Sequence, residues 1–334
     1  MTATAPLGRT GMAITRVGFG AWALGGGDWA FSWGPQDDDV AIAAIRHAVE
    51  SGFNWIDTAA VYGLGHSEEV VGRALRDIPA ADRPYVFTKG GLVWDENDRR
   101  AVARRVGAPE SLRSEVDASL RRLGVERIDL YQMHRPAEDG TKLEDYWRTF
   151  VELKAAGKVR AIGLSNHDVG QLERAEAIGH VDTLQPAFSA IHRDAARDLL
   201  PWTTLHETGV IAYSPMASGL LTGAFSAERV AALPADDWRR RSPDFTTNLG
   251  ANLAVAEALD AVARRHGVGQ PAAAVAWTLA FKGVTGAIVG ARSPAQVDGW
   301  LPAAQLSLTG QDLDEVAAAI ATSGAGEGPV RPSR

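Results

Sequence analysis

The chain has 334 residues, 46% of them hydrophobic and 22% charged, which is enough to bury a large core in one barrel or in two smaller domains. A net charge of −7 argues against a basic nucleic-acid surface, and the absence of cysteine excludes disulfides, thiol catalysis and thiolate metal sites. The most apolar run, PAAAVAWTLAF at 271–281, falls well short of the ~20 residues a membrane span needs, and MTATAPLGRTGMAITRVG has no charged segment followed by an apolar one. We therefore expect a soluble cytoplasmic protein with no membrane or nucleic-acid partner.

The chain opens on a hairpin, with Thr10-Gly11 as the turn between LGR and MAITRV. Strands are then predicted at 17–21, 53–57, 84–88, 128–133, 159–164, 182–186, 210–214 and 286–290. Helices with apolar residues at three-to-four spacing fall at 38–51, 67–76, 109–123, 142–156, 168–178, 193–207, 270–282 and 294–301. This eightfold alternation predicts an α/β fold of the (β/α)8 TIM barrel type, whose parallel strands, buried on both faces, read as continuous apolar runs. Helical patterns at 249–266 and 310–321 lie outside the repeat and are placed on the barrel's exterior. No linker interrupts the pattern, so residues 1–334 read as a single domain. Two connections are long, GGLVWDENDRRAVARRVGA after the third strand and SGLLTGAFSAERVAALPADDWRRRSPDF after the seventh. Both fall on the face where barrels build their sites.

Polar residues at strand C-termini point into that mouth. Asp57 ends the second strand, Lys89 follows the third in VFTKGG, His134 follows the fourth in LYQMHRP, and Tyr62 lies on the loop after the second. A free phenol titrates near ~10. An adjacent ammonium held by a carboxylate would lower that value, and a neutral imidazole would align a carbonyl. The set suits general-acid reduction of C=O without nucleophile or metal. Taken singly, each residue also has a structural explanation: a turn at Asp57-Thr58, a loop anchor at Tyr62, a solvated strand end at Lys89, a satisfied core histidine at His134.

NWIDTAAVYGLGHSEEVVGRAL, VFTKGGL, IDLYQMHRP, GKVRAIGLSN, LQPAFS, IAYSPMASGLLTG and AIVGARSPAQV, in this order, together resemble the aldo-keto reductase family from about residue 7 to 322. The WGPQDD and GGLVWDE stretches look most like its bacterial branch of inositol-utilisation and general-stress reductases. The resemblance implies an NADPH-dependent barrel reductase of a small-molecule carbonyl substrate, with NADH weaker. Tyr62 would be the general acid, Lys89 and Asp57 would tune it, and His134 would orient the carbonyl.

The same resemblance implies the coenzyme site. Ser165, Asn166 and Gln185 match the carboxamide-binding residues, and Tyr213 matches the aromatic that stacks on nicotinamide. Ser214, Pro215, Met216, Gly219, Leu220 and Leu221 match the pyrophosphate loop, and Gly290, Arg292 and Gln296 the adenosine end. Trp22 joins the coenzyme set, while Trp29, Trp33 and Trp94 are placed as walls of the substrate pocket. Gly299 and Trp300 stand where the family usually has an acidic residue and asparagine. Gly18 and Gly20 lack the third glycine of a Rossmann fingerprint. Metal-dependent hydrolysis is disfavoured because no H-x-H occurs, and glycoside hydrolysis because the fourth and seventh strands end without carboxylates. A nucleotide-holding regulatory module, like the channel-associated β subunits of the same resemblance, is the alternative from another class.

Overall fold

The computed structural model describes residues 4–235 and 237–332. Strands β1 (Thr4–Pro6) and β2 (Ala13–Thr15) form an antiparallel hairpin. Then follow β3 (Val17–Gly20), α1 (Asp38–Glu50), β4 (Trp55–Asp57), α2 (His66–Arg76) and β5 (Tyr85–Gly90). A small antiparallel ribbon, β6 (Leu92–Val93) with β7 (Arg104–Arg105), precedes α3 (Pro109–Leu123), β8 (Ile128–Met133), α4 (Leu143–Ala155), β9 (Val159–Ser165) and α5 (Val169–Glu176). The remainder is β10 (Thr183–Gln185), α6 (Leu199–His206), β11 (Gly209–Ala212), α7 (Ala227–Ala231), α8 (Leu249–His266), α9 (Gln270–Leu279), β12 (Gly286–Gly290), α10 (Pro294–Trp300) and α11 (Gly310–Ser323). Strands β3, β4, β5, β8, β9, β10, β11 and β12 close into a parallel barrel, the expected architecture.

A period of two divides each barrel strand between two environments. Trp55, Phe87, Leu130, Ala161, Ile211 and Ile288 form one inner cluster together with Leu7, Met12 and Ile14 of the hairpin segment. Ile56, Tyr131, Met133, Ile162, Leu164, Leu184 and Val289, of opposite parity, join the outer cluster with the helices. The hairpin thus plugs the barrel floor. Two residues beyond inner Trp55 stands Asp57; two beyond Phe87 stands Lys89; two beyond Leu130 stands Gln132, with His134 after it. The inner face turns from apolar to polar in one step along the barrel axis, and that polar layer is the base of the mouth.

Gly18 serves packing and not phosphate: a Cβ there would come within 2.1 Å of the Trp55 ring, which fills the barrel interior against Phe87 at 5.3 Å. The indole N–H of Trp55 donates to the Thr15 carbonyl at 2.8 Å, so the buried ring is satisfied.

The helix expected at 193–207 is instead a 3₁₀ turn at Asp194–Ala196 and α6 from Leu199. Proline at 201 has no N–H to give an interior turn and is tolerated in the first one, so the helix begins just before it. The two long connections carry structure of their own, the β6–β7 ribbon and α7 with its flanking 3₁₀ turns. Among the described residues no helix is long and apolar enough to cross a membrane.

Candidate active site

Asp57 and Lys89 meet across neighbouring strands β4 and β5, with Lys89 Nζ donating to Asp57 Oδ1 at 2.5 Å and to the Thr58 carbonyl at 2.9 Å. The lysine is 1% exposed and Asp57 3%. Burial pushes the carboxyl up and the ammonium down, while their mutual attraction opposes both shifts. Gln185 Nε2 donates to Asp57 Oδ2 at 2.9 Å, so the carboxylate is fixed from two sides. Two of the three ammonium donors have partners, which leaves one for the mouth.

Tyr62 lies beyond this pair, its ring centroid 5.2 Å from Lys89 Nζ and 5.7 Å, edge-on, from the His134 ring. The loop that places it depends on glycine. Gly63 adopts φ +64°, and a Cβ there would come within 2.1 Å of the Gly25 carbonyl oxygen, so two loop backbones pack in direct contact only because neither residue has a side chain. Ser67, in the first turn of α2, donates to the Ala21 carbonyl at 2.8 Å and shares a 2.9 Å hydrogen bond with Thr58. Glu68 behind it is fully buried, accepting from Arg122 at 2.6 Å and from Thr88 at 2.6 Å. The apolar-strand-to-phenol segment is therefore anchored at both ends.

The expected lowering of the phenol's pKa is not what the geometry gives. Tyr62 is pushed well above its ordinary value, first by burial and then by the Asp57 and Tyr213 charges; only Arg135 pulls it down. Lys89 is so tightly paired that Asp57 offsets its field at the phenol. The consequence is a phenol that stays protonated through neutral pH and so has a proton to give. His134 is held well below the ordinary imidazole range by burial and by the nearby Lys89 and Arg135 charges, and is neutral. Its Nδ1 is buried and has no partner among the described residues, unlike a core histidine whose polar atoms are satisfied.

The residues matched to nicotinamide binding converge at the ends of β9, β10 and β11. Asn166, in the left-handed region at φ +61°, donates to the His134 carbonyl at 3.0 Å and to Ser165 Oγ at 3.0 Å, and accepts from the Tyr213 hydroxyl at 2.7 Å. Ser165 Oγ donates to the Gln185 carbonyl at 2.9 Å. What remains open is acceptor capacity, the Gln185 side-chain oxygen and a second lone pair on Asn166. A primary carboxamide supplies matching N–H donors, so the set fits the group. In the following loop Ser214, Ala217, Ser218 and Gly219 all have positive φ, between 46° and 92°, a backbone geometry that turns N–H groups toward an anion. Pro215 and Met216 lie within it, whereas Leu220 and Leu221 are fully buried and offer only backbone.

At the adenosine end Gly290 is exposed, and Gln296 accepts the Arg292 N–H at 2.8 Å. Arg292 does not stand free. Its guanidinium donates to Gln36 Oε1 at 2.8 Å, to the Trp33 carbonyl at 3.1 Å and to the Pro35 carbonyl, tying the loop after β3 to that after β12. Trp300 is 1% exposed against Phe53 at 5.2 Å; it is a core residue, which explains its departure from the usual adenine-contacting pattern.

Three of the four tryptophans singled out in the sequence cluster around Tyr62. Trp22 stacks over Tyr62 at 6.2 Å, Trp29 lies at 6.4 Å from the same ring, and Trp33 meets Trp22 edge-on at 5.3 Å. Trp22, expected in the coenzyme set, is thus part of the wall over the phenol. Trp94, partly buried just after β6, enters none of these ring pairs among the described residues. Sequence reasoning missed Trp238, which reaches across from the loop after β11 to stack on Trp22 at 6.0 Å and meet Trp33 at 6.0 Å. Only the length of that loop hinted at it. Gln132, beside Gln185, was also missed, although its parity with Leu130 would have found it.

A closed parallel barrel carrying a buried carboxylate–ammonium pair, a protonated phenol and a neutral imidazole at one mouth defines a barrel oxidoreductase. The chain matches the aldo/keto reductase family over residues 16–321 and belongs to it; it is an NAD(P)H-dependent oxidoreductase. It is 33% identical over 309 residues to the aldo-keto reductase YhdN of Bacillus subtilis, covering 92% of this chain and 90% of that one. It is also 33% identical over 320 residues to the NADH-specific methylglyoxal reductase of Escherichia coli, covering 92% and 95%. The solved glycerol dehydrogenase AKR11B4 of Gluconobacter oxydans superposes with a TM-score of 0.87 at 36% identity, over 99% of this chain and 98% of that one.

Proposed function

We propose that the protein reduces an aldehyde or ketone with NADPH, and runs the reverse oxidation of the alcohol, with Tyr62 as the general acid. The observation that carries this reading is the protonated Tyr62 beside the buried Asp57–Lys89 pair and facing neutral His134. When bound, the reduced nicotinamide supplies a hydride to the carbonyl carbon. His134 donates a hydrogen bond that holds the carbonyl oxygen, and Tyr62 gives its proton to that oxygen as charge develops there. Lys89, held in place by Asp57 and Thr58, keeps one ammonium donor for the oxygen that the proton leaves. The donors are oriented before the reaction begins, so little reorganisation is needed as charge develops. Trp22 and Trp29 cover the phenol and exclude water, which strengthens each of these interactions.

Ser165, Asn166, Gln185 and Tyr213 would hold the nicotinamide, the loop from Ser214 to Leu221 the pyrophosphate, and Gly290, Arg292 and Gln296 the adenosine. The preference for NADPH rests on Arg292, because a guanidinium takes a phosphate bidentately. Its present acceptors are two carbonyls and a neutral amide, which a dianionic phosphate outcompetes electrostatically. Titrating NADPH and NADH against the protein, then following 4-nitrobenzaldehyde reduction with each, tests the reading. Tighter NADPH binding and turnover with it are expected. Equal affinities would overturn the coenzyme preference, and coenzyme binding without turnover of any aldehyde would overturn the reductase assignment.

A further inference from the structure

Gln132 lies in the polar layer at the base of the mouth, two residues beyond the packed Leu130, and is fully buried. The chemistry proposed above gives it no task. Its buried neighbour Gln185 has one, since Nε2 donates to Asp57 Oδ2 at 2.9 Å and Oε1 is open to the coenzyme side. The same Nε2 also donates to Gln132 Oε1 at 3.4 Å. The two amides come from β8 and β10, the strands on either side of β9 in the barrel.

An ionised carboxylate only accepts, so Asp57 decides which end of the Gln185 amide faces it. One hydrogen bond, however, lets a planar amide pivot about the N···O line. Both N–H bonds of the NH2 group lie in the amide plane, so a second acceptor in another direction fixes that plane and, with it, where Oε1 points. Gln132 Oε1 is that second acceptor. The other end of the Gln132 amide, Nε2, is buried with no hydrogen-bond partner among the described residues. Burying such a donor costs stability, and an apolar side chain at this position would avoid the cost, so packing alone does not account for an amide here. Burial raises the Asp57 carboxyl, and Gln132 joins Lys89 and Gln185 in opposing the rise, so its amide also lies within the carboxylate's field.

We propose that Gln132 is a positioning residue for the coenzyme. By holding the Gln185 amide in plane between itself and Asp57, it aims Gln185 Oε1 at the N–H groups of the nicotinamide carboxamide. Gln132 acts through Gln185 and takes no part in the proton transfer. The proposal rests on the nicotinamide site given under the proposed function and deepens it.

The test titrates NADP+ and its 3-acetylpyridine analogue by quenching of tryptophan fluorescence; the NAD+ pair replaces them if NAD+ binds tighter. The analogue carries a methyl group where the carboxamide has its NH2, and keeps the carbonyl and the rest of the dinucleotide. Wild type should bind NADP+ at least about fivefold tighter, because the analogue strands the buried Gln185 Oε1. Gln132→Met keeps the length and removes the acceptor, so it should cut that preference to below about twofold by weakening NADP+ and not the analogue. Gln132→Glu, kept neutral beside Asp57, retains an acceptor oxygen at the same reach and should retain the preference. Gln132→Leu takes the place of the methionine variant if that one does not fold. A preference unchanged in the apolar variant, or equal losses for both dinucleotides as a general disturbance of the floor would give, would overturn the proposal. Equal binding of the two by wild type would overturn it as well, since the carboxamide N–H is then not read. Wild type that binds neither dinucleotide would instead remove the coenzyme site on which the proposal rests.

Discussion

At the scale of single residues, the four groups proposed to carry the chemistry were legible because each follows an apolar strand and all converge on one rim, although each taken singly had a structural explanation. Their electrostatic balance was not legible. Sequence shows that Lys89 can neighbour Tyr62, but not that Asp57 lies 2.5 Å from the ammonium and offsets its field. The phenol is raised and the imidazole lowered, so neither titrates in the neutral region. The rate of reduction should therefore be flat there, falling at alkaline pH only above the ordinary phenol range; a limb near pH 7 in the pH profile of kcat/KM would contradict this. The pair itself gives a stability prediction. Lys89→Met leaves Asp57 as an unpaired buried carboxyl, which costs roughly 3–5 kcal/mol. Asp57→Asn with Lys89→Met should recover much of the lost thermal stability and none of the activity. Recovery of activity in the double variant would mean that the pair is a packing feature.

Among the elements, the strands were readable as continuous apolar runs and the helices from their three-to-four spacing. The inner and outer faces of each strand were not, since both are buried and apolar; what marks the inner face is the step to Asp57, Lys89 and Gln132 two residues after the packed layer. Loops were the least legible. Trp238 belongs to a segment without periodicity and acquires its role only when the loop after β11 crosses the mouth. Arg292 was found, but its three acceptors are mostly backbone carbonyls, which no sequence pattern displays. Its removal distinguishes two tasks. Arg292→Ala should weaken NADPH by at least about tenfold, the loss of a hydrogen bond to a charged group, while NADH changes by less than about threefold. Equal losses in a fluorescence titration of both coenzymes would assign the guanidinium to holding the loop at Trp33 and Pro35.

For the whole molecule, the barrel supplies a rigid floor and the long loops supply the roof. The hairpin closes one end with Leu7, Met12 and Ile14, so the polar layer opens only toward the loops that follow the strands. That arrangement puts Tyr62 at the base of an aromatic-walled mouth, and the proposal that it is the general acid stands on it. The most direct measurement is steady-state reduction of 4-nitrobenzaldehyde with NADPH by wild type and by Tyr62→Phe, alongside coenzyme affinity for both. A positioned general acid contributes about 10²- to 10⁴-fold, so the variant should lose at least a hundredfold in kcat while its coenzyme affinity stays within about threefold, the ring being retained. A variant within tenfold of wild-type kcat would contradict the assignment of Tyr62 as the proton donor.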